Sequence, residues 1–203
     1  VRHFRSTLRA ECFRIHRRSQ SRQLGATTAS TRRASSGYTS GPSGSDIVRS
    51  GLPDGRSRRC EAWEAIALRL ADQAGIPTAP HRLIEVSGKR ALLTQRFDRI
   101  REQRIPFLSA MAMLGRQDGE SASYPEIAEI LFLQSSWGKA EAQALYRRML
   151  FNVLISNVDD HMSNHGFLWS EDRGWHLSPA YDLNPVPSDL KARVLSTHID
   201  RDD

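Results

Sequence analysis

Cysteine, lysine and long apolar runs are scarce in this sequence of 203 residues, and the shortages of cysteine and of apolar runs each exclude a class of protein. The two cysteines, Cys12 and Cys60, cannot build a disulfide framework, and so few cysteines fit a reducing compartment. No apolar run approaches the roughly 18 residues that a membrane-spanning helix requires. We therefore expect a cytoplasmic protein with no membrane role.

The shortage of lysine is concentrated in the first part of the chain. Residues 1–60 contain 13 Arg, no Lys and 3 acidic residues, whereas residues 61–203 contain 16 basic and 20 acidic residues. The net charge of +6 therefore reflects residues 1–60 and not the remainder. Residues 1–60 are also rich in Ser, Gly and Thr and show no helical or strand period, so we expect them to be disordered.

Other interpretations of residues 1–60 stay open. Arginine clusters at 14–18 and 56–59 could contact nucleic-acid phosphates, but no aromatic residues alternate with them, so direct nucleic-acid binding is not expected. An Arg-rich, Ser-rich and acid-poor start is also typical of organelle transit peptides. We favour the hypothesis that this segment is translated from a shifted reading frame restored near Cys60, because an orderly amphipathic pattern begins abruptly at Glu61.

Three side chains with oxygen donors carry the strongest chemical signal. Asn164 follows Asp159 by five positions, and Asp182 comes later in the sequence Pro-Ala-Tyr-Asp. A protein kinase requires an Asp that accepts the proton of the substrate hydroxyl, an Asn five positions on that binds magnesium, and a further Asp on the metal ions that bridge the phosphates. Amide and carboxylate oxygens suit Mg²⁺. The pattern therefore indicates phosphoryl transfer.

The stretch from 151 to 187, FNVLISNVDDHMSNHGFLWSEDRGWHLSPAYDLNPVP, resembles the C-terminal kinase domain of the HipA family, the bacterial serine/threonine kinase toxins. Residues 61–76 look like the helix of the HipA nucleotide lobe, and residues 92–99, LLTQRFDR, look like the strand that leads into the hinge. The resemblance covers roughly residues 61–200. It departs from eukaryotic kinases, because no His-Arg precedes Asp159 and Leu-Asn-Pro follows Asp182 where Phe-Gly would stand.

This resemblance implies an α+β, protein-kinase-like fold, with an incomplete small lobe at 61–96 and a mainly helical large lobe at 97–203. It implies ATP and Mg²⁺ as cofactors, a protein Ser or Thr as substrate, and a toxin that is silenced by a DNA-binding antitoxin. Carried over residue by residue, Asp159 is the catalytic Asp, and Asn164 and Asp182 are the metal ligands.

Two features implied by the resemblance are missing ahead of the helix at 61–76, namely a loop that covers the ATP phosphates and a strand Lys that pairs with them. The first lysine of the chain is Lys89, which lies beyond that helix. Kinase chemistry rests on positioning and charge stabilisation, so their loss would weaken the hold on the phosphates. Two functions therefore stay open: a HipA-type kinase of impaired activity, and an inactive kinase remnant or antitoxin-binding module.

Further site residues are implied in the small lobe. Glu64 would face the phosphate-binding Lys, and the alternative is a solvated helix residue. Backbone groups of Thr94, Gln95 and Arg96 are implicated in holding adenine. We favour a structural role for the Arg96 side chain, as an internal ion pair with Asp98 near the hinge.

Residues next to the catalytic Asp have their own alternatives. His161 and His165 are four positions apart and could share a helical face as metal ligands, but Met162 stands where a zinc protease would have Glu. We expect His161 to brace the catalytic loop beside the nucleotide by hydrogen bonding, and Asp160 to stabilise the turn. The alternative that Asp160 is the base stays open here.

Periodicity gives the coarse secondary structure of residues 61–203. It predicts helices over 61–71, 125–132 and 140–156, and hairpins that pair 81–86 with 90–97 and 166–169 with 175–177. Gly75 and Pro77 are predicted to end the first helix. The apolar stripe predicted for this helix is Trp63, Ile66, Ala67 and Leu70. The core positions predicted near the catalytic loop are Phe151, Leu154 and Ile155.

Overall fold

The small lobe consists of one helix and a three-stranded antiparallel sheet. The computed structural model describes residues 46–49, 60–86, 89–100, 103–186 and 195–201, and the structural statements below concern these residues. Helix α1 spans Cys60–Gln73, and strands β1, β2 and β3 span Asp46–Arg49, His81–Val86 and Lys89–Gln95. The strand order is β1-β3-β2, so β3 is central. The predicted hairpin of β2 and β3 is confirmed, with His81 opposite Thr94.

Helix α1 ends as the sequence predicts. Gly75 has a φ of 72°, a left-handed conformation that glycine adopts without steric cost. The N–H of Gly75 donates to Asp72 O (3.0 Å) and the N–H of Ile76 donates to Ala71 O (2.9 Å), which together form a Schellman cap. Pro77 then prevents the helix from continuing.

The buried face of α1 differs from the predicted stripe. Ala65, Leu68 and Ala71 face the core, whereas Trp63, Ile66 and Leu70 are each nearly half exposed. Of the predicted stripe, Ala67 alone is buried. Ala65, Leu68 and Ala71 belong to one buried cluster with Leu92 of β3. A four-residue pattern cannot distinguish these two faces when both contain apolar residues.

Strand β1 lies ahead of the boundary predicted at residue 61. It pairs along β3, with Asp46 opposite Gln95 and Arg49 opposite Leu92. Pairing of this kind uses backbone groups, so it needs no side-chain period that a sequence pattern would reveal. Residues 1–45 and 50–59 lie outside the described residues, and disorder or a shifted frame there stays a prediction.

The large lobe contains two main helices and a second three-stranded sheet. Helix α2 is a single turn at Ala110–Met113, and α3 and α4 span Tyr124–Gln134 and Gly138–Leu154. Strands β4 to β8 span Arg99–Ile100, Gln103–Arg104, Phe107–Ser109, Gly166–Ser170 and Gly174–Leu177. β4 and β5 form a small hairpin, and β6, β7 and β8 form an antiparallel sheet in that order. The predicted helices and the second hairpin are thus confirmed.

Local chemistry explains where α3 begins. Pro125 occupies its first turn, where a missing N–H costs no helical hydrogen bond. The carboxylate of Glu126 accepts from the backbone N–H of Ser123 (2.8 Å), which satisfies a donor that the helix leaves unpaired. This capped start fixes the position of Tyr124, whose hydroxyl is used in the site described below.

One apolar cluster joins the two lobes. Leu68 and Leu92 of the small lobe pack with Phe151 from α4 and with Ala180 and Leu183 beyond β8. Phe151 is therefore core, as predicted, and Ile155 packs against the same cluster. The prediction for Leu154 is wrong, because this side chain is 78% exposed on the last turn of α4. No helix among the described residues is long and apolar enough to cross a membrane.

Candidate active site

The turn that follows α4 brings two of the motif residues together. Its last part is a 3₁₀ turn at Met162–Asn164, just before β7. The side-chain Nδ2 of Asn164 donates to the backbone oxygen of Asp159 (2.9 Å). That bond fixes which end of the amide is nitrogen, so Oδ1 is the atom that Asn164 can offer to a cation. Asn164 is buried and Asp159 is exposed.

The β7–β8 hairpin returns the chain to the same turn. Immediately after β8, the N–H of Ser178 donates to Gly166 O (2.8 Å). The hydroxyl of Tyr181 donates to the backbone oxygen of Ser163 (2.7 Å). The residue next to Tyr181 is Asp182. The hairpin therefore places the segment that carries Asp182 beside the turn that carries Asn164.

Asp182 has an unusual backbone conformation. Its φ is 58°, in the left-handed region that residues other than glycine rarely adopt. Its Oδ1 accepts a hydrogen bond from Asn184 Nδ2 (2.8 Å). Just upstream, the N–H of Ala180 donates to Pro77 O in the small lobe (2.7 Å). The Asp182 segment therefore contacts both lobes.

The structure separates the roles of Asp159 and Asp160. Asp160 is 1% exposed, and its carboxylate accepts a hydrogen bond from the hydroxyl of Tyr124. The backbone oxygen of Asp160 accepts from Thr197 Oγ1 (2.6 Å). A carboxylate held in this way cannot reach a substrate hydroxyl, so Asp160 anchors the turn, as expected. Asp159 is the acidic residue of the pair that reaches solvent.

His165 is the buried partner of Asp160. Its Nε2 lies 3.0 Å from Asp160 Oδ1, and neither side chain is more than 1% exposed. This is ion-pair distance, although the ring N–H does not point at the oxygen well enough for a hydrogen bond. Burial alone would raise the pKa of the Asp160 carboxyl, but His165 and the hydrogen bond from Tyr124 hold that pKa below its ordinary value.

Two further ionisable groups are buried nearby. Burial, reinforced by the negative charge of Asp160, raises the pKa of the Tyr124 hydroxyl, which therefore stays a hydrogen-bond donor. Burial also lowers the pKa of the Arg148 guanidinium on α4. Arg148 Nη2 donates to Ser178 O (2.6 Å), which holds the segment between β8 and Asp182.

The small-lobe candidates lie on α1 and at the end of β3. Glu64 is partly buried on α1. Thr94 and Gln95 line a cavity of about 190 Å³ with residues 80–82 and Leu93. Arg96 Nε donates to Asp98 Oδ1 (2.7 Å), so the internal ion pair favoured from the sequence is confirmed. The roles proposed for Glu64 and for the backbone at 94–96 in nucleotide binding stay predictions.

His161 contacts the loop in a way that the sequence did not indicate. Its imidazole is exposed, and its backbone oxygen accepts from the N–H of Asn164 (2.8 Å). The brace predicted for the His161 side chain, beside the nucleotide, stays a prediction. The buried histidine of this loop is His165, and its signal in the sequence is the acidic residue five positions earlier.

The arrangement fits a kinase-type metal site rather than a metal centre built wholly from protein ligands. Within the described ranges, no group of three or more His, Cys, Asp or Glu residues is placed to hold a metal ion. Mg²⁺ in phosphoryl-transfer sites is held by one or two protein oxygens together with phosphates and water. An Asn amide and one Asp carboxylate on adjoining segments are consistent with that donor set.

Similar proteins were found among curated sequences. "Putative kinase Y4dM" from Sinorhizobium fredii is 29% identical over 157 residues, which cover 70% of this chain and 38% of that protein. A "Putative kinase" from Haemophilus influenzae is 21% identical over 151 residues, which cover 66% of this chain and 44% of that protein. The chain thus spans less than half the length of these relatives.

Solved structures share the fold. HipA of Shewanella oneidensis MR-1, solved with HipB and its operator DNA, has a TM-score of 0.58 and 22% identity, over 76% of this chain and 40% of that one. The proinflammatory kinase CtkA of Helicobacter pylori has a TM-score of 0.54 and 15% identity, over 70% and 52%. The kinase-like α+β fold predicted from the sequence is confirmed.

The family model for the HipA-like C-terminal domain matches residues 41–203, which is most of the chain. The match begins ahead of β1 and includes every described element of both lobes. It also contains the turn of Asp159 and Asn164 and the segment of Asp182. This chain belongs to the HipA-like C-terminal domain family of kinases.

Proposed function

We propose that this chain carries out ATP- and Mg²⁺-dependent phosphoryl transfer to a Ser or Thr of a protein substrate. The observation that supports this proposal is that the segment of Asp182 adjoins the turn that carries Asp159 and Asn164. The side chain of Asn164 donates a hydrogen bond to the backbone oxygen of Asp159. The hydroxyl of Tyr181, the residue before Asp182, donates a hydrogen bond to the backbone oxygen of Ser163 in the same turn. Residues that are distant in sequence thereby come to adjoin a single loop.

Each motif residue has a role that its environment supports. Asp159 is exposed beside a buried, fully engaged Asp160, so it is the carboxylate that can orient or deprotonate a substrate hydroxyl. Asn164 offers its amide oxygen, and Asp182 a carboxylate, to magnesium. Mg²⁺ held by Asn164 and Asp182 would supply charge neutralisation of the phosphates.

Nucleotide would lie between the lobes, along the side where the Asp182 segment meets the small lobe. Thr94 and Gln95 at the end of β3 are proposed to hold adenine through backbone groups, beside the cavity that they line. Glu64 on α1 would face a phosphate-binding Lys. Because residues 1–88 contain no Lys that could pair with the phosphates, we expect the phosphate grip of these 203 residues, and with it their activity, to be weak.

We further propose that this chain acts as the toxin of a toxin–antitoxin pair whose partner is a DNA-binding antitoxin. The support is a protein of similar fold, the Shewanella HipA, that was solved with HipB and operator DNA. The second candidate function is an inactive kinase remnant or antitoxin-binding module. The absence of Lys from residues 1–88 favours it, and nucleotide binding distinguishes the two.

Thermal unfolding with Mg-ATP tests the proposed function. A ligand at about 100 times its Kd stabilises the folded state by about 2.7 kcal/mol, so we expect a rise of several degrees in the Tm of the parent. Asp182→Ala is expected to abolish this rise because it removes a metal ligand. Asp118→Ala, in an exposed loop, is the matched control and should respond like the parent. A parent whose Tm does not respond would favour the remnant.

A further inference from the structure

A chain of hydrogen bonds runs from the Asp182 segment to the turn of Asp159. The N–H of Asn184 donates to Asn157 Oδ1 (3.3 Å), and Asn157 Nδ2 donates to Asn152 Oδ1 (3.2 Å). Asn152 Nδ2 then donates to the hydroxyl oxygen of Tyr124 (3.2 Å). The chain ends where that hydroxyl donates to the carboxylate of Asp160.

Every donor in this chain points the same way. A backbone N–H can only donate, so the atom of Asn157 nearest to Asn184 must be its oxygen. The amide nitrogen of Asn157 therefore faces Asn152, and the same logic orients Asn152 toward Tyr124. A carboxylate can only accept, so Asp160 terminates the chain. Bonds aligned in series polarise and strengthen one another.

The middle of this hydrogen-bond chain is closed to water. Asn152, Asn157 and Asp160 are each 1% exposed. If one of these side chains were removed, solvent could not replace the lost partner, and its neighbour would be left buried and unsatisfied. The link between the two segments therefore depends on these particular groups.

Asn184 connects the hydrogen-bond chain directly to Asp182. Its backbone N–H is held by Asn157, and its side-chain Nδ2 donates to Asp182 Oδ1 (2.8 Å). Asp182 has a φ of 58°, a conformation that a residue other than glycine keeps only when its surroundings hold it. Asn157 and Asn184 supply part of that restraint.

We propose that Asn157 and Asn184 are positioning residues that set the Asp182 carboxylate in the geometry for magnesium. Asn157 acts through Asn184, and Asn184 acts on the carboxylate itself. Mg²⁺ demands a nearly regular octahedron of oxygens, so a small displacement of one ligand lowers its affinity. This inference rests on the proposed function of Asp182 as a metal ligand.

The test is the gain in ATP affinity that magnesium gives, measured by calorimetry on the full chain with and without Mg²⁺. Loss of a residue that orients a metal ligand commonly costs 10- to 100-fold in metal affinity, so we expect the gain to fall at least about tenfold in Asn184→Ala. Asn157→Leu should show the same loss. Affinity for ATP without metal should stay at the parent value in both variants.

The matched control is Gln134→Leu, which removes another buried amide at the far end of α3. It should lower stability yet keep the full magnesium gain, which separates positioning from general destabilisation. An undiminished gain in Asn184→Ala would overturn the inference, and this variant decides alone if Asn157→Leu does not fold. A parent with no magnesium gain would overturn the proposed function, and this inference with it.

Discussion

Asp160→Ala is expected to lower the free energy of unfolding by about 2–6 kcal/mol, because two buried polar groups lose their partner and each such loss costs about 1–3 kcal/mol. The carboxylate of Asp160 lies 3.0 Å from His165 Nε2 and accepts from Tyr124. Removing it leaves the imidazole and the hydroxyl without this partner. A typical domain has about 5–15 kcal/mol of stability in total, so the effect is large. Urea unfolding of the parent and the variant measures it.

The same pair sets a dependence on pH. The pKa of Asp160 is held below its ordinary value in the folded state, so its contribution to stability is fully present above the unfolded pKa of about 3.9. That contribution is lost as the pH falls through the folded pKa. Asp160→Asn should therefore lose less stability than the parent between neutral pH and about pH 3. Parallel losses would contradict this assignment, and Asp118→Asn, at an exposed site, is the control.

Asp159→Asn is expected to reduce phosphoryl transfer by about 10²- to 10⁴-fold, the range that a positioned general base contributes. The side chains of Asp and Asn are nearly the same size, and the backbone oxygen of residue 159, which accepts the hydrogen bond from Asn164, is unchanged. The variant should therefore keep the rise in Tm with Mg-ATP. The measurement is ADP formed from Mg-ATP in the presence of casein as an acceptor protein.

A comparison with Asp182→Ala sharpens this prediction. Asp159→Asn should lose transfer and keep nucleotide binding, whereas Asp182→Ala should lose both. If Asp159→Asn retained the parent rate, the base would have to be another residue. A parent that binds Mg-ATP but forms no ADP would instead support the view that the phosphate grip is too weak for catalysis.

Local signals were sufficient for much of the fold. The glycine and proline that end α1 and the proline near the start of α3 fixed helix ends by short-range chemistry. Strand-like patterns identified both hairpins. Strand β1 and the outward-facing Leu154 were missed because backbone pairing and the packing of one lobe on the other depend on partners distant in sequence.

The spacing of residues was enough to predict the motif of the candidate site, but not the contacts that hold the motif in place. Asp159, Asn164 and Asp182 carry a pattern that the chemistry of phosphoryl transfer requires. The structural roles of Asp160 and His165 depend on contacts with other segments. Tyr124 on α3 contacts both residues, and Thr197 bonds the backbone oxygen of Asp160. No pattern within the motif indicates those contacts, because they form between segments that meet only in the folded protein.

The structure of this chain with Mg²⁺ and a non-hydrolysable ATP analogue tests the central claim most directly. We expect Asn164 Oδ1 and a carboxylate oxygen of Asp182 to lie about 2.0–2.1 Å from magnesium, the distance that this ion imposes. The terminal phosphate should face Asp159. A metal held by other residues, or nucleotide bound away from this turn, would contradict the account.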